Sequence, residues 1–357
     1  MDHCFHLQAE WEGVAATASE LNIFQFPSFI RQSLPLLANL APKIVTIREA
    51  GLLIGMVILR RDTGYGKLPV PFWRTALHHE QFLGTPLVRA GFEAAFAKGL
   101  CNWLDQAPRD CCFVKLSMIS ADGRIAREMA AYCAKDARRT LFANQFKRAA
   151  IVPPRDHSGK ADDVLRSSRR KNIRKAKKRL AQEGDVVIEK LSDANQVADW
   201  TAQFLAMEDT GWKHENRSSI LSSEDEAALY RAIIAEAFEA KNLHFTRLCL
   251  DGLPIAYTLD IGAPPWGYCL KSAIDQRYRK HSPGVLMEYE TLRYYIGKSE
   301  FTLLDSCSAP DNALLNEMWP NQKAISDMAI ARKGLGYGLI FQAIQANKKL
   351  LRTAVGA

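Results

Sequence analysis

Three carboxylates, a lysine and a turn in this sequence have the types and spacing to do chemistry. Glu208 and Asp209 close a helical segment just before Trp212-Lys213. Asp305 ends a strand pattern, Phe301 to Asp305, and is followed by Ser306 and Cys307, while Lys271 lies mid-strand. A carboxylate at a strand end borders the cleft of an open sheet, where it can take a proton from a nucleophile or clamp a cationic amine. The turn is Arg279-Lys280-His281-Ser282-Pro283-Gly284, between a strand pattern ending near Ile274 and a helical pattern, Ser282 to Tyr295. Free N–H groups and the positive end of that helix, reinforced by Arg279 and Lys280, suit a pyrophosphate. Ser282 fits an N-cap, Pro283 the first helical position, and Gly284 a close approach of the backbone to a ligand.

The elements that must position these groups can be read from periodicity and breakers. In the first half, Leu7 to Glu20, Pro27 to Ala38, Gly91 to Leu104 and Ile125 to Ala134 have helical patterning. Ile44 to Glu49 and Leu52 to Arg60 pair across Ala50-Gly51, and Cys112 to Met118 and Thr140 to Ile151 are further strands. Val152-Pro-Pro-Arg-Asp-His-Ser-Gly159 breaks helix and strand alike, which predicts domains at 1–155 and 160–357. The second half runs from a basic helix to a strand, Val186 to Leu191, then to helices from Asp193 and Ser223. Strands Leu243 to Leu250 and Pro254 to Gly262 follow, joined at Asp251-Gly252, a strong hairpin signal, and then Trp266 to Ile274. Helix Ser282 to Tyr295, strands Phe301 to Asp305 and Ala324 to Ala331, and a helix at Leu339 to Leu351 complete it. A mixed α/β (α+β) layer is predicted.

Composition excludes several classes. The 357 residues, 48% hydrophobic and 24% charged, suffice for two cores and rule out a disordered chain. The longest run without a polar residue, Gly51 to Leu59, is far below the roughly 20 residues a spanning helix needs. The N-terminus has no basic stretch leading into an apolar one, so a cytoplasmic protein is expected. The eight cysteines contain no CxxC and the eight histidines no HxxxH, so neither a disulfide framework nor a metal site is expected.

The net charge of +8 is concentrated in one place. Between Arg166 and Arg179 there are nine cations and no anion, on a stretch whose Leu165, Ile173, Ala176 and Leu180 form one apolar stripe. An amphipathic helix (165–180) with one buried seam is predicted. Its basic face is either simply solvated or holds phosphate-bearing ligands, RNA or an acidic membrane surface. No aromatic residue interleaves with the cations, which argues against a single-strand stacking platform.

The order of elements, together with Phe204 to Lys213, Lys271-Ser-Ala-Ile-Asp275, Tyr278 to Met287 and Leu304-Asp305-Ser306-Cys307, resembles the CelD-like branch of the GNAT acyltransferases, which is related to the Fem aminoacyl transferases. Ser168-Arg-Arg-Lys-Asn172-Ile-Arg-Lys-Ala176 resembles the opening of the second domain in both groups. The resemblance covers most of 160 to 332 and is looser in the first half. It implies tandem GNAT-like folds, each a mixed, mostly antiparallel sheet flanked by helices, with a degenerate first domain. In that domain Phe82-Leu-Gly84-Thr85-Pro86-Leu87 occupies the corresponding strand-to-helix turn.

The implied activity is N-acyl transfer to an amine or hydroxyl acceptor, in cell-envelope, polysaccharide or lipid metabolism. Asp305, Glu208 and Lys271 become the catalytic candidates. Arg279, Lys280, Ser282 and Gly284 would bind acyl-CoA or acetyl-CoA, and Trp212, Lys213, Asp209 and Ser306 would frame the acceptor. Cys307 has no histidine near it in sequence to activate it as an acyl relay and reads as packing. The family's cradle is Gln/Arg-x-x-Gly-x-Gly/Ala, whereas here Ser282 replaces one glycine and Pro283 removes an N–H donor. Acyl carrier protein and aminoacyl-tRNA therefore stand beside acyl-CoA as donors. A Fem-like aminoacyl transferase and a non-catalytic scaffold binding nucleic acid or a protein through the basic helix are the rival readings.

Overall fold

The computed structural model describes residues 7–355 apart from 67, 109–110, 155–159, 211–214 and 299. The chain forms two compact units, one of residues 1–146 with 324–357 and one of residues 147–323. The helices are α1 (Gln8–Ala16), α2 (Pro27–Gln32), α3 (Leu34–Leu37), α4 (Glu93–Gln106), α5 (Arg124–Lys135), α6 (Ala161–Val164), α7 (Ser167–Leu180), α8 (Val197–Glu208), α9 (Glu224–Glu239), α10 (Pro283–Ile296), α11 (Ala313–Met318) and α12 (Leu335–Val355). The strands are β1 (Lys43–Glu49), β2 (Leu52–Asp62), β3 (Phe72–Thr75), β4 (Leu87–Val88), β5 (Phe113–Ser120), β6 (Thr140–Ile151), β7 (Val186–Lys190), β8 (Leu243–Leu250), β9 (Leu253–Ala263), β10 (Trp266–Ile274), β11 (Leu303–Asp305) and β12 (Asn321–Ala331). None of the helices searched among the described residues is long and apolar enough to cross a membrane.

In the first unit β1, β2 and β3 form an antiparallel meander, β5 joins β3 in parallel, β12 pairs antiparallel with β5, and β6 lies beside β12. The β1–β2 hairpin turns at Ala50-Gly51, both at positive φ, as a tight hairpin of this twist requires. The apolar run of β2 is explained by burial on both faces. Val57 and Leu59 pack with Phe96, Leu100 and Met129 of α4 and α5, whereas Met56 and Ile58 pack with Trp11 and Ile30 of α1 and α2.

The second unit has the same grammar. Strands β7, β8, β9 and β10 are antiparallel, β11 joins β10 in parallel, and residues 150–151 of β6 close the sheet antiparallel to β11. The hairpin at Asp251-Gly252 forms as expected, both residues at positive φ. One face is covered by α7 and α10, where Leu165, Ile173, Ala176 and Leu180 join Leu286, Met287 and Leu292 in one core. On the other face Trp200 and Phe204 of α8 pack edge-on against Phe245 and Tyr257 of the sheet.

The predicted division at 155/160 is displaced by the closing strands. Residues 147–151, read with the first domain, belong to the second unit, and residues 324–357, read with the second, belong to the first. The physical reason is strand pairing: Ala150 and Ile151 bond to Asp305 and Leu304, and residues 325–331 bond to β5. Strand β3 and helix α11 were not anticipated, because each is too short to show a period.

Candidate active site

The second unit's parallel pair is short. Trp266, Gly267 and Tyr268 of β10 face Leu303, Leu304 and Asp305, while β10 runs on to Ile274 with no partner on that side among the described residues. A bulge between Cys269 and Lys271 bends β10 at the point where the two strands part. The result is a notch whose rim is the unpaired backbone edge of residues 269–274, ending at the strand-to-helix turn.

That turn is a 3₁₀ segment, Gln276–His281, followed by α10. Asp275 caps it by accepting from the Arg277 N–H at 2.9 Å, and its carboxylate is paired with the Arg277 guanidinium at 2.6 Å. Asp275 is thereby neutralised. Arg279 and Lys280 are exposed, and among the described residues their side chains have no ion-pair partner.

Ser282 stands at the N-cap position, but at φ 57 its side chain makes no cap bond, a correction to its expected capping role. Pro283 is at the first helical position as expected, and the Val285 N–H is used by the Ser282 carbonyl at 3.1 Å. A Cβ on Gly284 would meet Ile274 at 3.6 Å and Leu314 at 3.8 Å, ordinary contacts, so packing does not demand a glycine there. An exposed cation pair beside a helix N-terminus with few spare donors fits a diphosphate held chiefly by charge.

A cavity of about 250 Å³ opens between the end of α8 and the end of β10, lined by Met207, Glu208, Thr210, Ser272, Ile274 and Arg279 among others. Glu208 is 3% exposed and one of its carboxylate oxygens accepts from the Ile220 N–H at 2.8 Å. The structure thus brings Glu208 and Arg279 to one cavity although 70 residues separate them in sequence. Asp209 accepts from the Ser219 hydroxyl at 2.5 Å, which ties Ser219 to the end of α8. Trp212 and Lys213 lie outside the described residues.

Lys271 is half-buried and its ammonium lies 5.9 Å from the centre of the Tyr230 ring on α9. Its face of β10 is that of Ala273, which pairs with Tyr257 of the aromatic layer under α8. Lys271 is therefore held on the helix-covered face rather than in the notch.

Asp305 is not available as a base. It is fully buried, gripped by Arg148 through Nε–Oδ1 and Nη2–Oδ2 contacts of 2.6 Å, with Lys323 Nζ 2.9 Å from Oδ2 and the Cys307 N–H donating to Oδ1 at 3.1 Å. Although burial alone would raise its pKa, the two cations hold the carboxyl well below the usual range. The geometry makes it the anchor that ties β11 to β6 and β12. Arg148 and Lys323 carried no sequence signal, because pairing of three strands, not proximity in the chain, brings them to Asp305.

Ser306 is buried, with its hydroxyl 2.9 Å from that of Ser308, so it shapes the turn after β11. Cys307 is buried too, and burial with the Asp305 charge pushes its thiol well up, away from the thiolate a relay needs.

Among the described residues the first unit shows no such notch. After β3 the chain folds back across β5: the Gly84 N–H donates to Met118 O at 2.9 Å, and Thr75 and Thr85 hydroxyls accept from the Ser117 and Ser120 N–H groups at 3.0 and 3.1 Å. A Cβ on Gly84 would lie 2.1 Å from Ser117 O. The chain itself fills the space that stays open beside β10.

Each unit has a parallel strand pair, β3–β5 or β10–β11, among antiparallel neighbours, the strand pattern of a GNAT-like fold in tandem. Residues 167–311 match the family model for an acetyltransferase (GNAT) domain, and the fold is GNAT-like. Among solved structures the chain is similar to FemX, with 11% identity, 89% of this chain and 95% of that chain covered, and a TM-score of 0.54. It is also similar to the C-terminal domain (DUF2156) of a lysylphosphatidylglycerol synthetase, so described, from Agrobacterium fabrum, at 12% identity, 94% and 95% coverage and a TM-score of 0.55. A protein of unknown function from Bacteroides thetaiotaomicron VPI-5482 aligns at 12% identity, 91% and 97% coverage and a TM-score of 0.56. No curated protein matches the sequence significantly.

Proposed function

We propose that the second unit transfers an acyl group from a phosphate-bearing thioester, acyl-CoA, to an amine or hydroxyl acceptor. The observation that carries this reading is the parting of β10 from β11 after Tyr268, which leaves an unpaired strand edge leading to a cationic turn at a helix N-terminus. The unpaired N–H groups of β10 can hold an acyl carbonyl and stabilise the negative charge that develops on its oxygen. Arg279 and Lys280 attract the diphosphate, and Arg279 also lines the cavity that holds Glu208. Glu208 is the group placed to take the proton of the acceptor, replacing Asp305 in that role. The donor supplies an activated carbonyl and a thiolate leaving group. The cell-envelope, polysaccharide or lipid acceptors implied by the family resemblance remain the acceptor classes for a screen. The first unit contributes no donor site in this scheme, since its own chain occupies the corresponding space.

Calorimetric titration of acetyl-CoA and a long-chain acyl-CoA into the wild type and Arg279→Ala tests the reading. Micromolar binding, weakened at least tenfold in the variant, is the expected result. A folded protein that binds neither overturns acyl-CoA as donor and turns the question to aminoacyl-tRNA or acyl carrier protein.

A further inference from the structure

The nine-cation segment forms α7 as expected, with Ile173, Ala176 and Leu180 buried. Its polar side is not uniform. A groove of about 600 Å³ runs between α7 and the start of α10, lined on the α7 side by Arg169, Asn172, Lys175, Lys178, Arg179 and Gln182, and on the α10 side by Ser282 and Val285. Arg169 is ion-paired with Glu317. Lys175, Lys178 and Arg179 have no ion-pair or hydrogen-bond partner among the described residues, and no carboxylate lines the groove.

Lys175 stands three and four residues from Lys178 and Arg179, so these like charges are neighbours on the helix surface and repel one another. An anion in the groove removes that repulsion. From Arg169 to Arg179 the helix rises about 15 Å, room for more than one phosphate group. Among the described residues the lining has cations, amides and a hydroxyl but no aromatic ring to stack a base and no acid to bind a sugar hydroxyl. Such a set recognises anions through their charged oxygens, and its length suits several phosphate groups.

From this unpaired charge facing the α10 N-terminus, we infer that the α7–α10 groove is a phosphate-binding site that takes a ligand with two or more closely spaced phosphates. The inference does not need the acyl-transfer reading. Two sources share the chemistry, the nucleotide end of a small donor and the backbone of an RNA.

The test uses the full chain and three probes: inorganic tripolyphosphate, adenosine 3′,5′-bisphosphate and a mixed-sequence 20-nucleotide RNA. Each is titrated at low and moderate salt into the wild type and two charge-matched variants. One variant combines Lys175→Ala, Lys178→Ala and Arg179→Ala; the other combines Lys171→Ala, Arg174→Ala and Lys177→Ala, which lie outside the groove lining. Alanine keeps an exposed helix intact, and circular dichroism checks that it does.

Tripolyphosphate should bind the wild type and lose at least tenfold in affinity in the groove variant, with less than a threefold change in the other. Tight binding of the bisphosphate with the same pattern assigns the groove to a nucleotide. If RNA is the ligand, its log–log salt slope should fall by about two in the groove variant, three cations each releasing about 0.7 ion from a single strand. Equal losses in both variants mean net charge alone is responsible and overturn the site, as does absence of binding by all three probes. Failure of the wild type to bind acetyl-CoA leaves these outcomes unaffected, so the two readings fail separately.

Discussion

Arg148 and Asp305 form a two-pronged ion pair inside the second unit, with side chains 1% and 0% exposed. Arg148 comes from the end of β6 and Asp305 from the end of β11, so a pair 157 residues apart in sequence fastens the closing strand. Removing one partner of a buried pair costs about 3–5 kcal/mol, and loss of Arg148 would leave Lys323 to balance Asp305. Arg148→Met should therefore lower stability by about that amount in urea titrations. A fragment of residues 160–357, which lacks Arg148, should not fold cooperatively. A fragment with a sharp thermal transition would show the pair to be dispensable.

Glu208→Gln should lower turnover by about two orders of magnitude, the usual worth of a general base, with donor affinity changed less than threefold. Asp305→Asn should instead cost stability first, lowering the thermal midpoint. Turnover lost in Asp305→Asn at unchanged midpoint, with Glu208→Gln fully active, would return the role of base to Asp305.

Glu288 lies on α10, fully buried, where burial first and then the Asp260 charge push its pKa up to about 8, while the Trp319 indole N–H, 3.2 Å away, opposes the shift. The folded protein thus holds a proton that the unfolded chain releases near pH 4.5. For this raised carboxyl the contribution is full below pH 4.5 and is lost as pH rises through about 8, on the order of 5 kcal/mol in all. Thermal midpoints should fall between pH 6 and 9 in the wild type. Glu288→Gln should flatten that fall, and an equal slope in both proteins would remove Glu288 as its cause.

Gly84→Ala should destabilise the first unit by about 1–3 kcal/mol or more, because the added methyl meets a backbone carbonyl that cannot rotate away. Acetyl-CoA affinity should be unchanged, since the donor site is assigned to the second unit. A gain of a second binding site in this variant would show that the first unit's cleft can be reopened.

Much of this molecule could be read from residue patterns, because the physics involved is local. The hairpins at Ala50-Gly51 and Asp251-Gly252 needed only residues tolerant of positive φ, and α7 only the spacing of Leu165, Ile173, Ala176 and Leu180. The turn from Asp275 to Gly284 was visible for the same reason: Pro283 at a first helical position and two neighbouring cations are features of adjacent residues. What tertiary structure decided was everything that depends on which strand lies beside which. Asp305 read as a reactive carboxylate until Arg148 and Lys323 met it through β6 and β12. Residues 324–357 read as the end of the second domain until β12 paired with β5. Glu208 and Arg279 shared no motif, and the cavity they line exists because α8 and β10 end at the same place. Local patterns record what a segment prefers to become, whereas a buried charge's role and a strand's domain are set by partners far along the chain.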